Sequence, residues 1–362
     1  MIGHAARGYV ALHEYVGPMD TVFVLVVRSL REDGFKRWGN GRTDAKSAFE
    51  FSISCCHGLF FGKNARIKKY TEMLELSPTI TRQYIDAVAV FDALAEAIEE
   101  AAQVRGGMYW HAGPASSPES KYLVRTTPAG AETSLGPRTP ETQAIYDKFM
   151  QRKQASAERL AGLKAALDQQ QRMNRALRVG RADPLVVALL NRLASTHLSP
   201  HFRVVGTHAL FAYEAAAGVR LDADALATRD IDLLWDTRKR IVFSTQLARV
   251  DSSMLGVLKK VDPTFRIRQG QKYTAVNKDG FEVDIIRREQ TDDDPHPTPG
   301  FSAVIVATNG TMARMNTVHP ATFVSFKRWM AGQPDRDPLK RRRDVLQADA
   351  VQVLLDQYLP QV

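Results

Sequence analysis

Cysteine is nearly absent from this 362-residue chain, whose two cysteines, Cys55 and Cys56, are adjacent. Adjacent cysteines are poor candidates for a structural disulfide, and no second pair of ligands has the spacing of a zinc site. These absences exclude a disulfide-stabilised secreted domain and a zinc finger. The sequence also shows no signal peptide, and together these features predict a protein of the reducing cytoplasm.

Long hydrophobic runs are missing as well. The longest one near the N-terminus, Val22 to Val27, has six residues, whereas a transmembrane helix needs about 20. The sequence therefore predicts no membrane-spanning segment. Acidic residues are outnumbered by basic ones, 40 to 49, which gives a net charge of +9. Such an excess suits an anionic partner such as a nucleotide or RNA, although solubility alone also explains it.

The chain divides into four segments of different pattern. Residues 1–72 show no sustained period of two or 3.6, and we interpret them as an extension that is poorly ordered or precedes a true start at Met73. Residues 73–199 predict a mainly helical region with a small hairpin. Residues 200–316 alternate strands with helices and predict an α/β domain, and residues 317–362 predict a helical tail.

Capping residues and apolar stripes predict helices at about 78–104, 139–179 and 184–196 in the second segment. The sequences MYW and YLVRT, at 108–110 and 122–126, predict a hairpin or two edge strands. From Lys148 to Arg181 the second helix carries nine basic residues. This charge favours a solvated helix face, with a nucleic-acid-facing helix as the alternative.

The third segment predicts strands at 202–206, 230–236, 266–277 and 281–289, with helices at 207–218 and 244–261. The stretch TDDDPHPTPG, at 291–300, is typical of a turn-rich, solvated surface loop. In the tail, helices are predicted at about 321–331 and 339–358.

Two carboxylates interrupt the apolar strand DIDLLWD, at Asp230 and Asp232. Side chains alternate along a strand, so both point to the same face. A later apolar strand, FEVDII, carries Asp284, and pairing of the two strands would bring the three carboxylates together. Like charges repel unless cations neutralise them, and Mg²⁺ binds both carboxylate oxygens and phosphates. The pattern predicts a metal site built on strands.

A strand-to-helix turn precedes these carboxylates at Gly206 and Thr207, within VVGTHALFAYE. A small residue at the turn leaves room for a phosphate, and the free N–H groups at the helix start favour an anion. Phosphate at this turn and metal at Asp230 and Asp232 together indicate a nucleoside triphosphate site.

These motifs resemble those of a known superfamily. GT at 206–207, DIDLL at 230–234 and VDI at 283–285 resemble the motifs of the DNA polymerase β nucleotidyltransferase superfamily. Further segments resemble an uncharacterised bacterial family of nucleotidyltransferase-like proteins: GGMYW, YLVRT, SLGPRTPET, VVGTHALFAYEAAAGVR, ATRDIDLLWD and FEVDII. The resemblance begins near residue 73 and leaves out residues 1–72. It implies an α/β (α+β) domain of the polymerase β type, with a mixed sheet.

The resemblance also implies roles for the carboxylates. Asp230 and Asp232 would bind two Mg²⁺ ions, with Mn²⁺ as an alternative metal. Asp284 would touch a metal and help to activate an acceptor hydroxyl. Gly206 and Thr207 would cradle the β- and γ-phosphates.

The C-terminal stretch FVSFKRWMAGQPDRDPLKRRRD resembles the helical tail of abortive-infection nucleotidyltransferase toxins, in which a lysine faces the triphosphate. Lys327 would take that role here. The alternative is that Lys327 is a solvated helix residue.

The implied reaction is attack by an acceptor hydroxyl on the α-phosphorus of an NTP, with release of pyrophosphate. The acceptor is an RNA 3′ end or a hydroxyl side chain of a protein. One alternative is a nucleotide- or RNA-binding protein without activity that acts in phage defence or with an antitoxin-type partner. The other is a glycosyltransferase with an Asp-x-Asp pair, which needs neither the Gly-Thr turn nor a third carboxylate.

Several residues near the motifs are interpreted as structural. His208 is expected to be packed or hydrogen-bonded, Tyr213 to lie in the core, and Arg220 to form a salt bridge. Trp110 and Tyr109 are expected to pack in the core rather than to stack on a base. The role of Glu214 is left open.

Overall fold

The computed structural model describes residues 73–113, 120–226, 228–236, 254–288 and 300–362, and the backbone of 9–16 and 21–29. The adjacent cysteines, the part of the predicted helix over 244–253 and the acidic loop at 291–299 lie outside the described residues. The interpretation of 1–72 as an extension and the domain boundaries stay predictions. Within 1–72, Tyr9–Val16 (β1) and Thr21–Ser29 (β2) pair in antiparallel fashion.

Helices begin at capping residues that the sequence makes recognisable. Ser77, Thr139 and Asp183 each accept a hydrogen bond from the first helical turn, and a proline follows each of them. The helices predicted at these caps and in the C-terminal tail are confirmed within a few residues at their ends. The helix predicted at 207–218 begins as a 3-10 turn over Gly206–Ala209, and the helix predicted at 244–261 is described only over Met254–Lys259. The helices are Pro78–Gln103 (α1), Pro140–Ala176 (α2), Pro184–Ser195 (α3), Leu210–Ala217 (α4), Ala223–Leu226 (α5), Met254–Lys259 (α6), Pro320–Gly332 (α7) and Pro338–Gln357 (α8).

The remaining strands follow β1 and β2 in chain order. They are Leu74–Glu75 (β3), Gly107–Ala112 (β4), Lys121–Thr126 (β5), Glu132–Pro137 (β6), Phe202–Val205 (β7), Val219–Arg220 (β8), Asp230–Asp236 (β9), Arg266–Arg268 (β10), Gln271–Val276 (β11), Glu282–Arg288 (β12), Gly300–Val306 (β13) and Met312–Val318 (β14).

Seven strands form one mixed sheet in the order β10-β11-β12-β9-β7-β14-β13. β12 runs parallel to β9 and β7 runs antiparallel to β9, whereas the outer pairs are antiparallel hairpins. The protein therefore has the mixed α/β architecture that the sequence predicts. Strands β4, β5 and β6 form a separate antiparallel sheet that includes the predicted hairpin.

The sheets differ from the sequence prediction in two respects. The single strand predicted over 266–277 is a hairpin, because Gly270 adopts φ +82° and turns the chain between β10 and β11. The sequence does not predict β6, β13 or β14. β13 ends in a continuous buried run over 303–306, which lacks the alternation that marks a half-buried strand.

Helices α1 and α2 pack side by side and run antiparallel. Gln83 near one end of α1 donates to Asn174 on α2 at 3.1 Å, and Glu100 near the other end pairs with Arg159. The small sheet β4-β5-β6 lies at the far end, where Trp110 packs against Tyr146 of α2 with ring centroids 5.8 Å apart. The expectation that Trp110 packs is confirmed, whereas the same expectation for Tyr109 is wrong, because its side chain is exposed on the small sheet.

The strands that carry the carboxylates are held by their opposite face. Ile231, Leu233 and Val283 are completely buried in one hydrophobic cluster with residues of α3 and α6. Burial of each such side chain contributes about 1.5–3 kcal/mol. This core holds β9 and β12 in place, so their polar residues need not stabilise the sheet. None of the described helices is long and apolar enough to span a membrane.

Candidate active site

The strand pairing brings the predicted carboxylates to neighbouring positions. In the parallel register of β9 and β12, Asp284 lies directly opposite Asp232, and Glu282 lies opposite Asp230. Side chains two residues apart share a face, so the pairing places four carboxylates on one face. The sequence prediction that Asp230, Asp232 and Asp284 come from adjacent strands is confirmed.

Glu282 is a carboxylate that the sequence reasoning missed. The sequence pattern that indicates it is EVD, in which Glu282 lies two residues before Asp284 and so shares its face of the strand. Nη1 of Arg268 donates to both oxygens of Glu282, at 2.9 and 2.8 Å. This pairing balances the charge of Glu282.

The strand-to-helix turn packs directly against the central carboxylate. Val205, the last residue of β7, lies opposite Asp232 in the sheet. The next residue, Gly206, has φ +67°, and a Cβ built on it would lie 2.3 Å from Asp232 Oδ2. Only glycine fits this position, because it tolerates positive φ and has no Cβ. The predicted turn and the predicted carboxylate therefore meet in one site.

Gly206→Ala is expected to reduce nucleotidyl transfer at least tenfold, since the new methyl group must displace the Asp232 side chain. The matched control is Gly218→Ala at the other end of α4, where φ is +68° but no atom lies within 4 Å of a built Cβ. Both variants bear the cost of positive φ, on the order of 1–2 kcal/mol. Thermal melting measures the loss of stability that both variants share. Transfer of labelled nucleotide measures the effect of the clash between the new methyl group and Asp232. Equal activity of the two variants would contradict a role of this close contact.

Burial and like charge act together on Asp232. Desolvation, followed by the charges of Asp230 and Asp284, raises the pKa of Asp232 from 3.8 to about 7. The positive charges of Lys327 and Arg343 oppose this shift. Strongly shifted carboxyl groups beside other titratable groups are typical of functional sites. The C-terminal helices thus bring cations to the carboxylate face of the sheet.

The carboxylates suit a divalent cation by their donor chemistry, since hard oxygen ligands are those that Mg²⁺ prefers. Burial first, and then the charges of Asp230 and Asp284, raise the pKa of Asp232, and a bound cation would offset both effects. Within the described residues, no three His, Cys, Asp or Glu side chains are already grouped closely enough to hold a metal. A bound cation would have to gather these oxygens by side-chain rotation, because unneutralised carboxylates repel one another.

Lys327 is buried rather than solvated. Its side chain is 8% exposed, and its Nζ donates to Asp344 Oδ1 at 2.8 Å. Arg336 donates to the other oxygen of Asp344 through Nε, at 2.8 Å. Burial lowers the pKa of Lys327, and the charge and hydrogen bond of Asp344 oppose this shift. The interpretation of Lys327 as a solvated helix residue is wrong, because this buried carboxylate holds it between α7 and α8.

The C-terminal helix α8 also reaches the Gly-Thr turn. Gln347, one turn after Asp344, is fully buried, and its Nε2 donates to Thr207 Oγ1 at 3.1 Å. Thr228 donates through its hydroxyl to Asp230. The sequence reasoning did not predict a role for Gln347 or Thr228. The available signal for Gln347 was its spacing of three from Asp344, which places both residues on one helix face.

The other residues near the motifs have structural contacts. His208 is 3% exposed, packs edge-to-face against Phe211, and has its pKa lowered to about 4 by burial. Tyr213 is fully buried and donates to the Val318 carbonyl at 2.8 Å. The predictions for both residues are confirmed.

Glu214 and Arg220 tie α4 and β8 to the segment before α3. Glu214 pairs with Arg181 and accepts from the Leu221 amide, and burial raises its pKa. Arg220 donates to the backbone carbonyl of Arg178. The contact shown for Arg220 is thus with the backbone, and the salt bridge predicted for it stays a prediction.

Residues 185–300 and 296–362 match a family model described as nucleotidyltransferase. The comparisons with curated proteins and with solved structures each gave no significant match. The matched stretches begin inside α3 and contain the Gly-Thr turn, the carboxylate strands and both C-terminal helices. The resemblance that the sequence shows from residue 73 onward is thus supported from residue 185. The match indicates an enzyme that transfers nucleotidyl groups and therefore uses a nucleotide substrate.

Proposed function

We propose that this protein is a Mg²⁺-dependent nucleotidyltransferase of the polymerase β type, which transfers a nucleoside monophosphate from an NTP to an acceptor hydroxyl. One observation carries the proposal. Half-buried Asp232 lies beside Asp230 and Asp284, against the Gly206 turn and within electrostatic range of Lys327. A group of negative charges, a turn without a Cβ and a buried lysine together suit a metal-bound triphosphate.

The residues of the site would have the following roles. Gly206 leaves room for a phosphate beside Asp232, and the Thr207 hydroxyl lies at the same turn. Asp230, Asp232 and Asp284 would hold Mg²⁺, which when bound supplies positive charge at the reacting phosphates. Lys327 contributes a further positive charge for the triphosphate.

The reaction would form a bond between the acceptor oxygen and the α-phosphorus and break the bond from the α-phosphorus to the β-phosphate oxygen. Pyrophosphate leaves with the electron pair of that bond. Asp284, on the strand next to Asp232, would take the proton of the acceptor hydroxyl. The acceptor is an RNA 3′ end or a hydroxyl side chain of a protein, and the experiment below distinguishes them.

The full chain and its Asp232→Ala variant would each be incubated with Mg²⁺, one NTP at a time, and either total RNA or cell-lysate protein. Label from α-³²P-NTP is expected to enter one acceptor fraction with the parent protein only, and label from γ-³²P-NTP is expected to appear in pyrophosphate. We expect Asp232→Ala to lower the rate by at least about 1000-fold, since it removes a central charged group of the site.

The matched control is Asp279→Ala, at an exposed residue of the turn between β11 and β12. It should label the acceptor at the parental rate. Transfer of γ-label to the acceptor would instead identify a kinase. Absence of transfer with every NTP, despite Asp232-dependent nucleotide binding, would indicate a protein that only binds nucleotide.

A further inference from the structure

Gln347 connects the C-terminal helix to the Gly-Thr turn through a buried side-chain amide. Its Nε2 donates to the Ala225 carbonyl at 2.7 Å and to Thr207 Oγ1 at 3.1 Å. A carbonyl oxygen can only accept a hydrogen bond. The contact with Ala225 therefore determines which end of the Gln347 amide is the nitrogen.

This orientation determines what the Thr207 hydroxyl can do. Because Oγ1 accepts the hydrogen bond from Gln347, its single proton remains to be donated to another atom. Within the described part of the chain, Oγ1 makes no further hydrogen bond. Thr207 follows Gly206, whose missing Cβ lets the turn lie directly against the Asp232 carboxylate. The proton is thus available to an oxygen of a ligand at this turn.

We propose that Gln347 is a positioning residue, which directs the Thr207 proton toward an oxygen of the bound triphosphate. The proposal rests on the proposed function, since it requires a nucleotide at the Gly206 turn. One face of α8 then supports both phosphate-binding elements. Asp344 holds Lys327, and Gln347 orients Thr207 one helical turn later.

The other end of the amide argues against a purely structural role. Gln347 Oε1 is buried and has no hydrogen-bond partner among the described residues. A buried acceptor without a partner is unfavourable, and an apolar side chain of similar length would avoid that cost. The two hydrogen bonds that Gln347 donates, to Ala225 and to Thr207, therefore have to offset that cost.

A double-mutant cycle of Thr207→Val and Gln347→Met tests the proposal in the full chain. The probes are the α,β-methylene analogues of the four NTPs with Mg²⁺, and the corresponding monophosphates, measured by equilibrium titration. Each single variant is expected to weaken binding of the triphosphate analogue about tenfold, as loss of a hydrogen bond to a charged group does. The double variant should bind no more weakly than Thr207→Val, and monophosphate affinity should not change.

Losses that multiply to about 100-fold in the double variant would overturn the proposal, because independent effects multiply. Parental affinity of Gln347→Met, or an equal loss for the monophosphate, would also overturn it. Thermal melting identifies a variant that does not fold at the assay temperature, and Gln347→Asn then replaces Gln347→Met in the cycle.

The two proposals fail in different ways. If no analogue binds to the parent protein, the proposed function itself is wrong. If an analogue binds and Thr207→Val weakens it but Gln347→Met does not, only the role of Gln347 is wrong.

Discussion

Asp232→Asn is expected to stabilise the folded protein while abolishing nucleotidyl transfer. Burial and two neighbouring carboxylates raise the pKa of Asp232 from 3.8 to about 7 in the folded state. A carboxyl whose folded-state pKa is raised costs folding free energy when it ionises. This cost is absent below pH 3.8, grows between pH 3.8 and 7, and is complete above pH 7, at about 4 kcal/mol. Asparagine keeps the shape and removes the charge.

The gain from Asp232→Asn is expected to be about 2 kcal/mol at pH 8 without divalent cations, because the buried amide must still be desolvated. The melting temperature should rise by roughly 4–8 °C, which is the shift that about 2 kcal/mol produces in a domain of about 150–250 residues. The gain should shrink as the pH falls toward 4. Added Mg²⁺ should stabilise the parent protein but not the variant. A variant that melts below the parent protein at pH 8 would contradict the surplus of negative charge at this site.

Asp344→Asn is expected to have the opposite effect on stability. Asp344 is completely buried and binds Lys327 and Arg336. Asparagine leaves these two cations without a buried counter-charge, and loss of one member of a buried ion pair costs about 3–5 kcal/mol. Chemical denaturation of the full chain measures this cost. Affinity for NTP should fall as well, because Lys327 loses the group that holds it in place.

The matched control is Asp349→Asn on the same helix. Asp349 lies 3.8 Å from Arg328, and both side chains are more than half exposed. Exposed ion pairs contribute little to stability, so this variant should match the parent protein in denaturation and in NTP binding. Equal behaviour of the Asp344 and Asp349 variants would show that the buried carboxylate does not hold the two cations.

The opposite expectations for Asp232 and Asp344 show where sequence reasoning stops. Both aspartates lie in amphipathic elements. The neighbouring sequence of neither aspartate shows which cations balance its charge. The residues that balance Asp344 follow from the packing of α7 against α8. At Asp232, Lys327 and Arg343 offset part of the neighbouring negative charge. Both cations belong to those same helices, which are distant from Asp232 in the sequence.

Local elements were the predictable part. Caps such as Thr139 and Asp183 mark helix starts because their side chains bind N–H groups two or three residues away. Alternation along β9 places Asp230 and Asp232 on one face for an equally local reason. Strands β13 and β14 were not predictable in this way, since their buried runs, such as 303–306, lack alternation.

From the sequence alone, one can derive the helix starts, the shared face of Asp230 and Asp232, and the small residue at the Gly206 turn, because each depends on neighbours in the chain. Only the tertiary structure decided that Asp284 lies opposite Asp232, that Gly206 packs against the same carboxylate, and that Gln347 binds Thr207 across 140 residues. These contacts depend on strand register and helix packing. The whole hydrophobic core determines both, and no short stretch of sequence does.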